Sequence, residues 1–304
     1  MKTTKTALFL LVFLSGYLSA QTITISNRYE MNGKSKAFYP TFNINGDKLL
    51  FTSDGYNGLS MYDLTSKATT AITNEPGAGY EPLFDAQESK VFYRKTSFDN
   101  SRRMDAMESF DLSKKTKVQL LSPQRDLKQA RSFHNGFIVT ANRKLLKSTF
   151  GKTTKAVPVY VTTQDLKIYL YKDAKFQIIN PLNEPESRYL WVSLSPNGKM
   201  ILFTAAGKGT FVCDLNGKVI ATLGYLNAPG WYDDMYVVGM QDKDDGHVIN
   251  SSKVMIMSVN GKTKAQISLA NEIAMYPTAS AKAAKIAYNT LDGRIQIVEI
   301  EIIK

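Results

Sequence analysis

A seventeen-residue phrase, Tyr39-Pro40-Thr41-Phe42-Asn43-Ile44-Asn45-Gly46-Asp47-Lys48-Leu49-Leu50-Phe51-Thr52-Ser53-Asp54-Gly55, recurs along this chain in altered form. It reads as a short strand, an Asn-Gly turn, then an apolar strand closing on Ser-Asp-Gly. Further copies are Tyr80-Glu81-Pro82-Leu83-Phe84 with Lys90-Val91-Phe92-Tyr93, Leu190-Trp191-Val192-Ser193-Leu194-Ser195-Pro196-Asn197-Gly198-Lys199, and Tyr276-Pro277-Thr278-Ala279-Ser280 with Lys285-Ile286-Ala287-Tyr288-Asn289. Strand-built recurrence at a spacing of about 40 to 50 residues is the signature of propeller blades. The repeats therefore predict an all-β chain and a single β-propeller.

Units read clearly over Phe38–Thr73, Tyr80–Ser122, Tyr189–Leu223 and Gly230–Ser268, the second with a long excursion from Thr96 to Met107. Asn216-Gly217 and Asn260-Gly261 supply hairpin turns, since both positions of such turns need positive φ. The last repeat supplies three strands, Tyr276–Ser280, Ile286–Thr290 and Arg294–Ile302. The alternating Thr22-Ile23-Thr24-Ile25-Ser26 is expected to pair in as its fourth and close the ring, which removes an exposed edge. Between Leu127 and Glu186 the count is harder: five strand candidates occupy about 60 residues. Five are too few for two full blades, so six blades are expected, with seven the alternative. No long window carries a helical period.

The copies resemble the TolB-type, WD-like propeller repeat of bacterial periplasmic proteins. Leu194-Ser195-Pro196-Asn197-Gly198-Lys199 carries the family's Ser-Pro-Asp-Gly-Lys with Asn for Asp, and Phe42-Asn43-Ile44-Asn45-Gly46-Asp47 keeps its shape before Thr52-Ser53-Asp54. The likeness covers most of the chain but not TolB as a whole, because the additional α/β domain ahead of the TolB propeller has no counterpart here. It implies an envelope location and a binding role. The same repeat resembles the propeller of prolyl oligopeptidase-like peptidases, yet no Gly-x-Ser-x-Gly elbow is present.

Lys2 and Lys5, the apolar run Ala7–Leu14 and Ser19-Ala20 read as a secretory leader over residues 1–20, cleaved near Ala20-Gln21, leaving residues 21–304 as the propeller. The run is too short to span a bilayer of about 30 Å, so no transmembrane segment is expected in the mature chain and the location expected is periplasmic. The single cysteine, Cys213, excludes an intramolecular disulfide and reads as a small buried residue of a strand. The formal net charge of +11 favours anionic surfaces. The basic residues are dispersed and not interleaved with aromatics, however, so no nucleic acid is expected as partner.

Catalytic candidates are few. His134 and His247 are the only histidines, too few for a polyhistidine metal centre, and no metal or cofactor is expected. Asp242-Lys243-Asp244-Asp245-Gly246 imitates a calcium loop, but the twelfth position is Lys253 where a bidentate acid is needed, so a solvated acidic hairpin is the reading preferred. Binding remains. Candidate contacts on the face where inner strands begin are Trp231, Tyr232, Asp233, Arg188, Arg131 and Tyr80, because aromatics and Arg dominate interface anchors. Aromatics beside Pro also serve as packing between blades. The function expected is a non-catalytic, exported, monomeric propeller that binds or scaffolds an envelope protein, peptide or glycan. The alternative is a small propeller hydrolase or lyase acting on glycans through acids in the central funnel.

Overall fold

The computed structural model describes residues 21–33, 35–133, 136–141, 144–149 and 158–303. Residues 1–20, where a leader is expected, and His134 lie outside the described residues. Among the described residues twenty-six strands, β1 to β26 in chain order, form seven antiparallel sheets. Blade 1 holds β2 (Phe38–Phe42), β3 (Lys48–Thr52), β4 (Leu59–Asp63) and β5 (Thr69–Thr73). Blade 2 holds β6 (Leu83–Phe84), β7 (Lys90–Asp99), β8 (Arg102–Asp111) and β9 (Lys117–Gln124). Blade 3 is β10 (Lys128–Phe133), β11 (Gly136–Ala141) and β12 (Lys144–Thr149), and blade 4 is β13 (Tyr160–Gln164), β14 (Lys167–Lys172) and β15 (Lys175–Ile179). Blade 5 holds β16 (Tyr189–Leu194), β17 (Met200–Ala205), β18 (Gly209–Asp214) and β19 (Val219–Gly224). Blade 6 holds β20 (Asn227–Trp231), β21 (Tyr236–Asp244), β22 (Ile249–Ser258) and β23 (Lys264–Gln266). Blade 7 joins β24 (Ala274–Ser280), β25 (Lys285–Thr290) and β26 (Ile295–Ile303) to β1 (Thr22–Glu30). Among the described residues the helical content is one 3-10 turn, Asp54–Tyr56.

The ring therefore has seven blades and not the six expected. The difference lies in one strand. Lys128–Phe133, with sequence KQARSF, alternates no apolar residues and gives no periodic signal, yet it pairs with β11. It raises the strand count across the difficult segment to six, enough for two three-stranded sheets. The excursion Thr96–Met107 is also strand: β7 and β8 stay paired out to Asp99 and Arg102, lengthening the hairpin.

Ring closure follows the expected route, with β1 antiparallel to β26 from Thr22 opposite Ile303 to Glu30 opposite Gln296. Arg28 of β1 reaches further, donating to the Tyr288 hydroxyl at 2.5 Å and to the Ile267 carbonyl, so the closing strand also ties blade 7 to blade 6.

Middle strands are apolar on both faces because each blade is covered by a neighbour on either side. All six residues of β11 are buried, as are five of the six in β17. Apolar clusters fill the seams. Leu50, Leu59 and Ile72 of blade 1 meet Val91, Tyr93 and Phe110 of blade 2, and Val238, Val254 and Ile256 of blade 6 meet Ile286, Tyr288 and Val298 of blade 7. Outer strands such as β19, with burial alternating along its length, face solvent. Cys213 is fully buried between blades 4 and 5, and burial pushes its thiol up to about 12, as suits a packing residue.

The repeated turn has one physical logic. At the end of the inner strands of blades 1, 2 and 5 a short polar side chain accepts backbone N–H groups of the turn that follows. Asn43 Oδ1 accepts from Lys48 N at 2.8 Å, Asp85 Oδ1 from Ser89 N at 2.7 Å and Lys90 N at 2.8 Å, and Ser195 Oγ from Met200 N at 3.0 Å. Gly46, at φ +67, sits with its α-carbon face against Ser280 and Ala283 of blade 7, where a Cβ would come within 2.4 Å of Ala283. Both the turn angle and that contact demand glycine.

Candidate functional site

The inner strands share a defect. Pairing with the second strand breaks between Phe38 and Thr41, Leu190 and Ser193, Asn227 and Gly230, and Met275 and Thr278, each time skipping two residues. The first skipped residue is left-handed in every case: Tyr39 (φ 52), Trp191 (φ 48), Ala228 (φ 44) and Tyr276 (φ 52). Glu81 (φ 52), just ahead of β6, is the blade 2 counterpart. Four of the five precede proline, Pro40, Pro82, Pro229 and Pro277; Trp191 precedes Val192. A bulge of this kind re-aims a side chain at the cost of ladder hydrogen bonds, and the displaced Tyr39 N–H is taken instead by Asn289 Oδ1 of blade 7 at 3.1 Å.

Two of these residues, Glu81 and Trp191, meet on the wall of one cavity formed by the inner ends of five blades. This cavity of about 1160 Å³ is lined from blade 2 by Tyr80, Glu81, Arg94, Arg103 and Asp105, from blade 3 by Leu127 and Arg131, from blade 4 by Thr163 to Leu166, from blade 5 by Leu190 to Ser193, and from blade 6 by Pro229. Beside it, tyrosines from blades 7, 1 and 2 form a ladder. Tyr276 lies 4.5 Å from Tyr39, Tyr39 stacks on Tyr56 at 4.2 Å, and Tyr56 meets Tyr80 edge-on at 5.3 Å. The Arg94 guanidinium ends the row 5.2 Å from the Tyr80 ring centroid, within cation–π range. Burial, then the neighbouring Tyr39, pushes the Tyr276 hydroxyl up to about 12.

Arg94 is the electrostatic centre. Only 2% exposed, it donates to the Leu127 carbonyl at 2.7 Å and to Glu81 Oε2 at 3.4 Å, and lies 3.8 Å from Asp105 Oδ2. Its Nε is buried without an acceptor. Asp105 is shared with Thr96 Oγ1 at 2.6 Å and with Arg103 Nε at 3.2 Å. Both carboxylates thus act as counter-ions. Burying a guanidinium is costly and is offset only by such partners. The Tyr80 hydroxyl is raised by the Glu81 carboxylate and then by burial, while Arg94, Arg103 and Arg131 pull it back. Three guanidinium groups therefore act on one point of the cavity wall. The lengthened β7–β8 hairpin is what carries Arg102 and Arg103 there.

Of the residues singled out from sequence, Tyr80 and Arg131 line the cavity. Arg188, immediately before β16, is exposed, and its carbonyl accepts from Ala206 N at 2.9 Å. Trp231, Tyr232 and Asp233 sit at the far end of β20 and take the repeat's structural roles. Trp231 packs on the blade 5–blade 6 cluster with its indole N–H 3.5 Å from the Ser193 carbonyl, Tyr232 is buried between blades 6 and 7, and Asp233 Oδ1 accepts from Met235 N and Tyr236 N at 2.7 Å. The residue that sequence reading passed over is Trp191. It is 40% exposed, strained and on the cavity wall. Its signal was available, since it occupies the position of Tyr39 and Tyr276 in the repeat.

His247 and the acidic stretch form the tip of the β21–β22 hairpin. Asp244 Oδ1 accepts from Gly246 N at 2.8 Å, and Asp245 Oδ1 from His247 N at 2.9 Å and Val248 N at 3.0 Å. Nearer the axis, Asp242 accepts from the Tyr225 hydroxyl at 3.1 Å and Asn227 Nδ2 at 3.0 Å.

The seven sheets, the closure by β1 and the cavity define a β-propeller with a TolB-like repeat. The chain is similar to TolB from Acinetobacter baumannii, with a TM-score of 0.53 and 18% identity over 81% of this chain and 58% of that one. It thus spans less than two thirds of TolB. It is also similar to the Cps50 (Swd1) β-propeller domain of Myceliophteria thermophila, with a TM-score of 0.59 and 11% identity over 91% and 99% of the two chains. A third likeness is to an oligogalacturonate lyase in complex with manganese, with a TM-score of 0.50 and 10% identity over 89% and 79%. At these identities the likeness shows the fold. No protein-family model matches the sequence, and no curated protein does. Among the described residues no helix is long and apolar enough to cross a membrane.

Proposed function

We propose that the protein is a non-catalytic binding module whose partner engages the cavity, and that it works outside the cytoplasm once residues 1–20 are removed. The observation that carries this reading is the cavity itself: about 1160 Å³, walled by five blades, and furnished with a strained exposed Trp191 and a buried Arg94. Backbone strain at a cavity wall persists only where the surrounding structure imposes it, and clusters at functional sites. Two of the four carboxylates on the cavity wall, Glu81 and Asp105, are held by Arg94, which suits counter-ions better than acid–base partners. That favours binding over the glycan-cleaving alternative.

The test is capture from envelope extracts by the tagged mature protein, comparing wild type with Trp191→Ala and Trp231→Ala. Loss of a hot-spot aromatic typically costs about 2 kcal/mol or more, roughly 30-fold in affinity. Capture should fall with Trp191→Ala at an unchanged melting temperature and survive in folded Trp231→Ala. Capture intact in Trp191→Ala would place the partner elsewhere on the ring.

A further inference from the structure

The cavity combines two features that narrow its ligand. The cavity wall carries five guanidinium groups, Arg94, Arg102, Arg103, Arg125 and Arg131, against four carboxylates, Glu81, Asp105, Asp126 and Asp165. Arg94 and Arg103 are paired with Glu81 and Asp105, but among the described residues no carboxylate pairs with Arg131, whose guanidinium donates to the Ala130 carbonyl at 3.0 Å. The Arg102 and Arg125 guanidinium groups, both exposed, have no hydrogen-bond or ion-pair partner among the described residues. The buried Arg94 Nε also lacks an acceptor. The opposite wall presents the Trp191 indole, 40% exposed, with no ring contact among the described residues, and beside it Thr163 and Gln164 carry hydroxyl and amide groups.

An oxyanion held by arginine forks, with a flat apolar face beside it and hydroxyl-matching groups around it, is the recognition chemistry of a charged sugar. An acidic peptide side chain shares the chemistry of the arginine wall but brings no flat pyranose face to the indole. The Trp191 backbone supports the reading independently: the indole is held at a left-handed position costing about 1–2 kcal/mol, where the same bulge in blade 6 carries only Ala228.

We propose that the cavity seats an anionic sugar unit, its carboxylate or phosphate group on Arg131 with Arg125 beside it and its pyranose face on the Trp191 indole. This rests on the binding reading above and names the ligand class for that site. Carboxylate and phosphate share the chemistry of the arginine wall, so either a sugar acid or a sugar phosphate satisfies it.

Fluorescence titration of the mature chain carrying Trp231→Phe leaves Trp191 as the sole indole reporter, since the sequence holds 2 tryptophans. The probes are glucuronate, glucose 6-phosphate, glucose, inorganic phosphate and a short glutamate-rich peptide, all at one ionic strength. Glucuronate, glucose 6-phosphate or both should change the emission saturably, and which of the two responds identifies the anion's source. Glucose and inorganic phosphate should bind at least about tenfold more weakly, a difference of about 1.4 kcal/mol. Arg131→Ala should lower the anionic-sugar affinity about tenfold or more without touching the response to glucose, and the exposed Arg125→Ala gives a second reading should Arg131→Ala fold poorly. Equal binding of glucose, equal binding of bare phosphate, or binding of the peptide alone would each overturn the proposal. If none of the sugars binds while envelope capture still depends on Trp191, the sugar assignment falls and the binding module stands.

Discussion

Five residues of this ring, Tyr39, Glu81, Trp191, Ala228 and Tyr276, adopt a backbone conformation that side chains with a Cβ resist. At four of them the side chain has work that offsets the strain: Tyr39 and Tyr276 meet across a blade seam, Glu81 pairs with the buried Arg94, and Trp191 lines the cavity. Ala228 has no such side chain. Ala228→Gly should therefore raise stability by about 1 kcal/mol, because glycine adopts positive φ freely. Chemical denaturation of the two proteins checks it, and a gain absent or reversed would mean that the Ala228 methyl packs better than its strain costs. Asp111 illustrates the opposite economy at the β8–β9 turn. Its carboxylate accepts from Lys114 N at 2.9 Å, the Ser113 hydroxyl at 2.7 Å and Ser113 N at 3.1 Å, and those bonds, the Lys114 amide's first and the Ser113 hydroxyl's next, lower it to about 2. Turn residues of this sort explain why the hairpins were legible in the sequence, whereas the bulges were not. A turn announces itself by Asn, Asp and Gly. A bulge is written only as an X-Pro pair, and in blade 5 not even that.

At the scale of strands, closure of the ring rests on one terminal element. Strand β1 pairs along β26, and its Arg28 crosses to blade 6. Deleting Thr22–Glu30 should leave β26 as a bare apolar edge and free the Tyr288 hydroxyl from Arg28, so the variant should lose its single cooperative transition and self-associate. A deletion variant that stays monomeric with an unchanged melting curve would show that β1 is decorative. This strand was readable because Thr22 to Ser26 alternates apolar with polar residues. Strand β10 was not, because its inward contacts come from Ala130 and from the Ser132 hydroxyl, which donates to the Phe84 carbonyl at 2.5 Å, not from an apolar stripe. One silent strand changed six blades into seven. The candidate site was legible in part for the same reason. Tyr80 and Arg131 announce themselves by type, but Arg94 reads as one polar residue in an apolar strand, and its role depends on Glu81, Asp105 and Leu127 arriving from three other segments.

The whole ring is held by its seams, and they are not equal. Apolar clusters of described residues span the seams of blades 1 and 2, 2 and 3, 4 and 5, 5 and 6, 6 and 7, and 7 and 1. Between blades 3 and 4 no such cluster forms among the described residues; there the Thr140 and Tyr160 hydroxyls lie 3.5 Å apart. Among the described residues both blades are also three-stranded where the others have four. Local opening draws on the regions with least apolar burial, at free energies from about zero up to that of global unfolding. The ring should therefore open first at this seam. Hydrogen exchange under native conditions should be faster in β11 and β14 than in β17 and β25, although all four are middle strands, and the two slow strands should exchange only with global unfolding. Since the cavity draws Arg131 from blade 3 and Asp165 from blade 4, a ligand bound there bridges the weak seam and should slow exchange in β11 and β14 selectively. Equal protection across the four strands in the free protein would mean that the seam between blades 3 and 4 is as strong as the rest, and that the ring opens elsewhere or as a unit.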